Sequence, residues 1–474
     1  MNNPASTANV LRVISQVSTL AFARTTRLAA VWGACAAFSC ATRAAHANGR
    51  YPKADQLVLA ADQPETLTVR TTFGFLVSHD SGQNWDWICE RAIGYSGVQD
   101  PAIGLMEGGT IVASLSEGIA RSVDQGCSWS FAEADLKGAP VIDLTVQRAA
   151  PNHALALVWD AQLIGYSSRI LASSDNGRSF LPYGSPIDPA VLVTTIDIAP
   201  SDAQRIYASG TRSVDGARSA LLFRSDDAGQ HWIEYPVPFD PKLEQGVYIA
   251  AVDPEDADTV YLRTNSATVS RLMISHDAGE QISAVYSGSL LSFALSPDGK
   301  RLYFGGEDGL YTGQASASEF EKRADFRVLC LAATTDTVYA CSDEHSGFTV
   351  GASRDDGATF EPLLHLKTVR GPLACSATAC ESDWPLVRAQ LGIPLPSGAD
   401  AGASGGAVGL GEAGSAGDAG GPAVPGPPAP THSSCTTGPP KPSRAPAVGL
   451  LVAIFLTCLS RFRKSRARSR LPAK

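Results

Sequence analysis

Charge, methionine and long apolar runs are scarce in this sequence. Only 18% of its 474 residues are charged and it holds 3 Met, against 44 Gly and 30 Pro. That composition excludes a coiled coil or a helical repeat. No apolar run reaches the roughly 20 residues that a membrane-crossing helix needs. The length suits two or three ordinary domains or one large all-β domain. Basic charge is missing from the middle of the chain. Residues 1–47 hold four Arg and no acid, and residues 436–474 hold nine Lys or Arg and no acid. The body between them carries all 47 acids against 25 bases, a net of −22. Such a body repels phosphate backbones, so a nucleic-acid partner is not expected.

Both ends read as addresses. The apolar run 28–41 follows Arg24 and Arg27 and precedes Ala45-His46-Ala47. This is the build of a secretory signal, with cleavage expected after Ala47; a short membrane anchor is the alternative. Residues 397–434 are Gly, Ala, Ser and Pro with almost no large apolar side chain. They cannot bury enough surface to offset chain entropy and are expected to form a tether. Cys435 follows, then an apolar segment of 16 residues between Arg444 and Arg461, then a basic end. Tether, Cys, short apolar segment and Arg cluster resemble the MYXO-CTERM sorting signal. The resemblance implies processing near Cys435, a lipid on that residue and display at the cell surface. The alternative is a retained C-terminal membrane anchor.

The body repeats. Ser78–Trp85, Ser122–Trp129, Ser173–Phe180, Ser225–Trp232, Ser275–Ile282 and Ser353–Phe360 all read S-x-D-x-G-x-x-[aromatic or Ile]. Their offsets are 44, 51, 52, 50 and 78 residues. A degenerate copy around Gly313–Phe320 divides the last gap and makes seven units over residues 51–385. A period of 40–50 residues points to a propeller or solenoid. Each unit holds four short alternating runs. In the fourth they are Thr194–Ala199, Arg205–Ser209, Ala220–Ser225 and Trp232–Tyr235. The predicted fold is therefore an all-β, seven-bladed β-propeller. Within the repeated turn, Asp accepts hydrogen bonds from nearby backbone N–H groups. Gly supplies a positive φ. The six turns resemble the Asp-box (BNR) repeat of sialidases, xyloglucanases, sortilin-type receptors and photosystem assembly factors. The resemblance implies structural roles, at the blade periphery, for Asp80, Asp124, Asp175, Asp227, Asp277 and Asp355. Calcium is the rival role, but these turns lack the further oxygen ligands.

Propeller function is expected at the channel mouth, on loops joining second to third strands and one blade to the next. Those loops are Asp160–Arg169, Gly210–Ser219, Thr264–Ser270, Ser342–Gly347 and the link Cys89–Asp100. Trp159, Tyr166, Arg212, Asp215 and Arg218 are the ligand-binding candidates. An aromatic ring beside Arg and Asp suits a sugar; solvated loop residues are the plainer reading. The sialidase-type Phe/Tyr-Arg-Ile-Pro element is missing: unit one opens Leu67-Thr68-Val69-Arg70-Thr71-Thr72-Phe73. The xyloglucanase-type cleft lies between two propellers, and this chain has one. Asp143 and Asp197 are the only acid pair for glycoside chemistry, expected at matching positions on adjacent blades. The expected function is non-catalytic binding of an extracellular glycan or protein by a surface-anchored monomer, without cofactor or metal. A glycoside hydrolase and an envelope scaffold are the alternatives.

Six cysteines remain in the body, an even count that suggests disulfides in an exported chain. Cys330 and Cys341 are equidistant from a turn near Thr335-Asp336 and are expected to pair. Cys375 with Cys380 closes a small loop, and Cys89 with Cys127 remains by elimination. Residues 371–392 are expected to form a latch pinned by Trp384, Leu386 and Leu391.

Overall fold

The computed structural model describes residues 50–395, except 61, 137–138, 162–165 and 316–318. The signal, tether, Cys435 and basic tail lie outside the described residues. Among those described, no helix is long and apolar enough to cross a membrane.

Seven sheets follow one another along the chain, each built on an antiparallel up-and-down meander of four strands; the third gains a fifth, Glu133–Ala134, paired parallel at its outer edge. Blade one runs Ala54–Leu59, Leu67–Thr71, Gly74–Ser78 and Asp86–Ile88. Blade four has the longest hairpin: Val191–Ile198, Ile206–Val214, Ala217–Ser225 and Ile233–Val237. Blade seven runs Cys330–Ala333, Val338–Cys341, Val350–Ser353 and Glu361–Leu364. The first strand of each blade lies innermost, and each packs beside the first strand of the next. The ring closes where blade seven meets blade one. Seven apolar clusters fill the seven spaces between neighbouring blades. The cluster at the closure holds Leu67, Leu76, Trp85, Cys341, Val350 and Leu364. Alternation along each strand sends one set of side chains to the preceding blade and the other to the following one.

In a meander the turn between strands three and four shares an end with the turn between strands one and two. All six S-x-D-x-G turns join third to fourth strands. Their geometry repeats. Ser78 Oγ donates to Asp80 Oδ1 (2.8 Å) and accepts from Gly82 N (2.9 Å), while Asp80 Oδ1 accepts from Asn84 N (2.9 Å). In every copy the residue before Gly also takes a positive φ, near 60°: Ser81, Gln125, Asn176, Ala228, Ala278 and Asp356. That conformation turns its N–H toward the adjoining turn. Ser81, Asn176, Ala228 and Ala278 donate to the carbonyls of Glu65, Asn152, Gln204 and Asp258. Blade six lacks the motif there, yet Ala315 N makes the corresponding bond to Lys300 O. Arg side chains of the preceding blade complete the join: Arg121 Nε donates to Asn176 O (2.8 Å) and Arg224 to Ala278 O (3.1 Å). Burial of Asp80, Asp124 and Asp175 opposes ionisation, but hydrogen bonds into each carboxylate outweigh it and lower the pKa. At Asp227 the contact with His231 lowers it to about 2.

The chain end departs from expectation. All six body cysteines form disulfides, and Cys330 pairs with Cys341 across the blade-seven hairpin. The other two pairings are corrected: Cys89 bonds Cys380 and Cys127 bonds Cys375. The reason lies in the closure. After blade seven, Pro372 lies parallel against Trp87 on the outer strand of blade one. Trp87 N donates to Gly371 O (2.7 Å), and Leu373 N donates to Trp87 O (2.8 Å). This lays Cys375 and Cys380 over blades one and two. The helix Trp384–Gln390 follows, with Trp384 against Trp87 at 5.6 Å. Leu391 is buried, but Leu386 is exposed, and Val387 takes the inward position.

Candidate functional site

The end of the ring opposite the S-x-D-x-G turns carries the turns from strand two to three and the links between blades. Here the inner strands begin, and a cavity of about 270 Å³ opens among those of blades five, six, seven and one. Leu57, Ile249, Leu291, Phe293 and Leu331 contribute to its wall, but most of the surface it presents is polar. Asp55, Gln56, Ser292 and Arg263 are its polar members. Asp55 is held by Arg70 (2.8 Å) and Lys53 (3.3 Å). Val214, Leu243, Val269 and Leu291, on the turns and links of blades four to six, are exposed at the same end.

Bulges shape the channel wall. Strand pairing slips by one residue between Ala54 and Gln56, Val141 and Asp143, Val193 and Thr195, and Ile249 and Ala251. The extra residues are Asp55, Ile142, Thr194 and Ala250; bulges of this kind re-aim the side chains that follow. In blades one, three and four the next residue reaches across to the next inner strand. Gln56 exchanges two hydrogen bonds with the Ile103 backbone (3.0 and 3.1 Å). Asp143 Oδ2 accepts from Ile196 N (3.0 Å), and Thr195 Oγ1 accepts from Ile249 N (2.9 Å).

This register separates the two acids. Asp143 corresponds to Thr195, not to Asp197, so the expected matching positions are corrected by two residues. Asp197 Oδ1 accepts from Thr145 Oγ1 (2.8 Å) and Ile198 N (2.9 Å). Burial pushes both carboxyls up to about 6. Neither lines the cavity. Each acid therefore has a blade-to-blade hydrogen bond.

The five ligand-binding candidates are not gathered into one site. Of the expected loops, Gly210–Ser219 is strand except for Asp215 and Gly216, and the described parts of Asp160–Arg169 are strand. Trp159 lies within Ala154–Ala161, and its Nε1 donates to Val193 O (2.6 Å). Tyr166 begins the strand Tyr166–Ser173. Pairing in blade four runs without a break out to Val214 and Ala217, leaving only Asp215 and Gly216 as the turn. Arg212 grips Glu234 (2.6 and 2.7 Å) and Asp188 (2.8 Å). Arg218 donates to the carbonyls of Pro241, Glu244 and Gln245 and so fastens the link to blade five. Asp215 is an exposed turn residue with φ 49°.

Sequence reasoning missed Arg263. It sits on the second strand of blade five, Val260–Ser266, directly opposite Tyr248. Its guanidinium lies 5.1 Å from the Tyr248 ring centroid. Partial burial in the channel lowers its pKa, opposed by the Tyr248 and Asp143 charges. Among the described residues the guanidinium has neither a hydrogen-bond nor an ion-pair partner. The available signal was one Arg within an otherwise apolar alternating strand, Val260-Tyr261-Leu262-Arg263.

The sequence matches no family model and no curated protein. Solved structures share the fold. An ancestral GH74 enzyme is similar with a TM-score of 0.50 at 12% identity, over 66% of this chain and 46% of that one. The match thus spans less than half of that enzyme's chain. YCF48 from Cyanidioschyzon merolae matches at TM-score 0.43 and 12% identity, over 62% of this chain and 93% of its own. A hydrazine synthase chain from Kuenenia stuttgartiensis matches at 0.45 and 14%, over 66% and 98%. The class is the one that the seven sheets define, a seven-bladed β-propeller. At these identities the likenesses go no further than the fold.

Proposed function

We propose that this protein is a surface-displayed propeller that binds an extracellular ligand, a glycan or a protein, at the channel mouth without transforming it. One observation carries the reading. The mouth offers a shaped cavity beside exposed apolar side chains, and Asp143 and Asp197, the acid pair read from the sequence, are hydrogen-bonded between blades and are not among the residues lining it. Acid–base hydrolysis needs two carboxyls facing a common space with room for the glycosidic bond. Three disulfides are consistent with an extracellular protein. The signal-like start, the tether and the resemblance of the tail to a MYXO-CTERM signal support export and anchoring. The resemblance of six turns to Asp boxes supports a scaffold role for the opposite face.

The test places residues 48–396 on a glycan array beside a panel of fluorogenic glycosides. Saturable binding without turnover is expected. Turnover that disappears in Asp143→Asn or Asp197→Asn would replace this reading with a glycoside hydrolase. Silence in both assays, with a protein captured from the cell surface, would retain the binding reading and exclude the glycan.

A further inference from the structure

Arg263 is hard to explain as scaffold. An Arg drawn into the wall of a channel normally acquires a carboxylate or carbonyl partner, because a cation that loses part of its water without one is costly. The other partly buried Arg side chains of blades four and five follow that rule: Arg205 pairs with Asp226 and Asp258, Arg212 with Glu234 and Asp188, and Arg271 with Glu244. Arg263 does not. The Tyr248 ring supports one face of its guanidinium, and its edge borders the cavity. The nearer acids are engaged. Asp55 is matched by Arg70 and Lys53, and Asp143 accepts from the blade-four backbone and acts on Arg263 through its charge without forming an ion pair within contact distance.

Resting on the reading that the channel mouth is the binding face, we infer that this cavity takes a small organic carboxylate, with its anionic group on Arg263 and an apolar body among Ile249, Leu291, Phe293 and Leu331. The planar guanidinium fork matches a carboxylate in two parallel hydrogen bonds. Ile249, Leu291, Phe293 and Leu331 offer contacts to the hydrocarbon or aromatic body of an acid that a fully hydrated anion such as phosphate cannot use, so phosphate would lose water for less in return. About 270 Å³ limits the occupant to a molecule smaller than most drug-sized ligands, or to one acidic group at the end of a larger ligand.

Calorimetric titration of the purified protein with benzoate and hexanoate tests this, with benzamide as the neutral analogue and inorganic phosphate as the hydrated anion. Both carboxylates should bind saturably, and benzamide and phosphate at least tenfold more weakly. Arg263→Gln should weaken benzoate at least tenfold. Because Arg263 is partly buried in the channel wall, a second variant guards the result: Leu291→Asp, at an exposed position on the cavity rim, should weaken benzoate by repulsion while thermal unfolding stays unchanged. Benzamide binding as tightly as benzoate, benzoate binding that survives both variants, or no saturable binding of either acid would overturn the inference. Phosphate binding more tightly than benzoate would overturn the apolar body. If the acids fail while an array or cell-surface ligand still binds and is lost in Val269→Asp, only the inference falls. If that ligand also binds independently of the mouth, the reading beneath it falls too.

Discussion

Asp143 and Asp197 show how much a single residue's setting decides. Burial raises both to about 6, so each favours folding when protonated. An acid with a raised folded pKa contributes stability that is full below its unfolded value, near 3.8, and lost as pH rises through about 6. Urea unfolding at pH 4.5 and 7.5 should show this loss, roughly 3 kcal/mol per site at most. It should shrink in Asp143→Asn and Asp197→Asn, which keep an acceptor for the Ile196 and Thr145 bonds; an unchanged pH slope in both variants would contradict the assignment. Glycine makes a second contrast. A Cβ on Gly126 would come 2.3 Å from Ile88 Cδ1 at φ 97°, whereas one on Gly216 meets nothing within 4 Å at φ 82°. Gly126→Ala should cost about 2–3 kcal/mol and Gly216→Ala about 1, read from denaturant midpoints. Equal costs would mean that the turn next to blade one yields freely. The presence of Asp143 and Asp197 on inner strands was legible from VIDLTV and TIDIAP. Their offset was not, because a bulge adds one residue to a strand without changing its hydrophobic alternation. Arg263 was overlooked for a related reason: whether an Arg in a strand reaches solvent, a partner or a channel depends on which neighbour its face meets.

Among elements, the hairpins were the most readable. The Cys330–Cys341 pair followed from two equal arms about Thr335-Asp336, since antiparallel pairing is set by the turn. The latch was readable as an element, but its docking place was not. Cys375 and Cys380 are five residues apart and invited a local loop; their partners lie 248 and 291 residues away and are reached only because the ring closes. Peptide mapping under non-reducing conditions should recover Cys89 with Cys380 and Cys127 with Cys375. A Cys375–Cys380 peptide would contradict the closure. Removing the latch tie with Cys380→Ser and Cys89→Ser together should cost about 2–5 kcal/mol, measured by denaturant unfolding. The loop from Gly210 to Ser219 failed as a loop because Arg212 and Arg218 continue the cross-strand pairing almost to the tip. Polar residues in a strand that extends past the body of the blade resemble a loop in sequence.

The whole molecule has two unlike ends. One carries six turns tied to neighbouring turns and neighbouring blades, with little left for a ligand. The other carries the channel mouth, the cavity and the exposed Val214, Leu243, Val269 and Leu291. The repeat period made the seven-bladed ring legible, because each unit must bury its two faces against its neighbours. Which end works was legible only as a general expectation for propellers. The most direct measurement compares single Asp substitutions on the two ends for binding to isolated envelope material. Leu243→Asp and Val269→Asp stand at the mouth, and Val123→Asp in the second repeated turn serves as the control, all three at exposed positions. Binding lost at the mouth positions and retained in Val123→Asp is the predicted result. Binding lost in Val123→Asp and untouched by the other two would contradict the account and move the function to the opposite face.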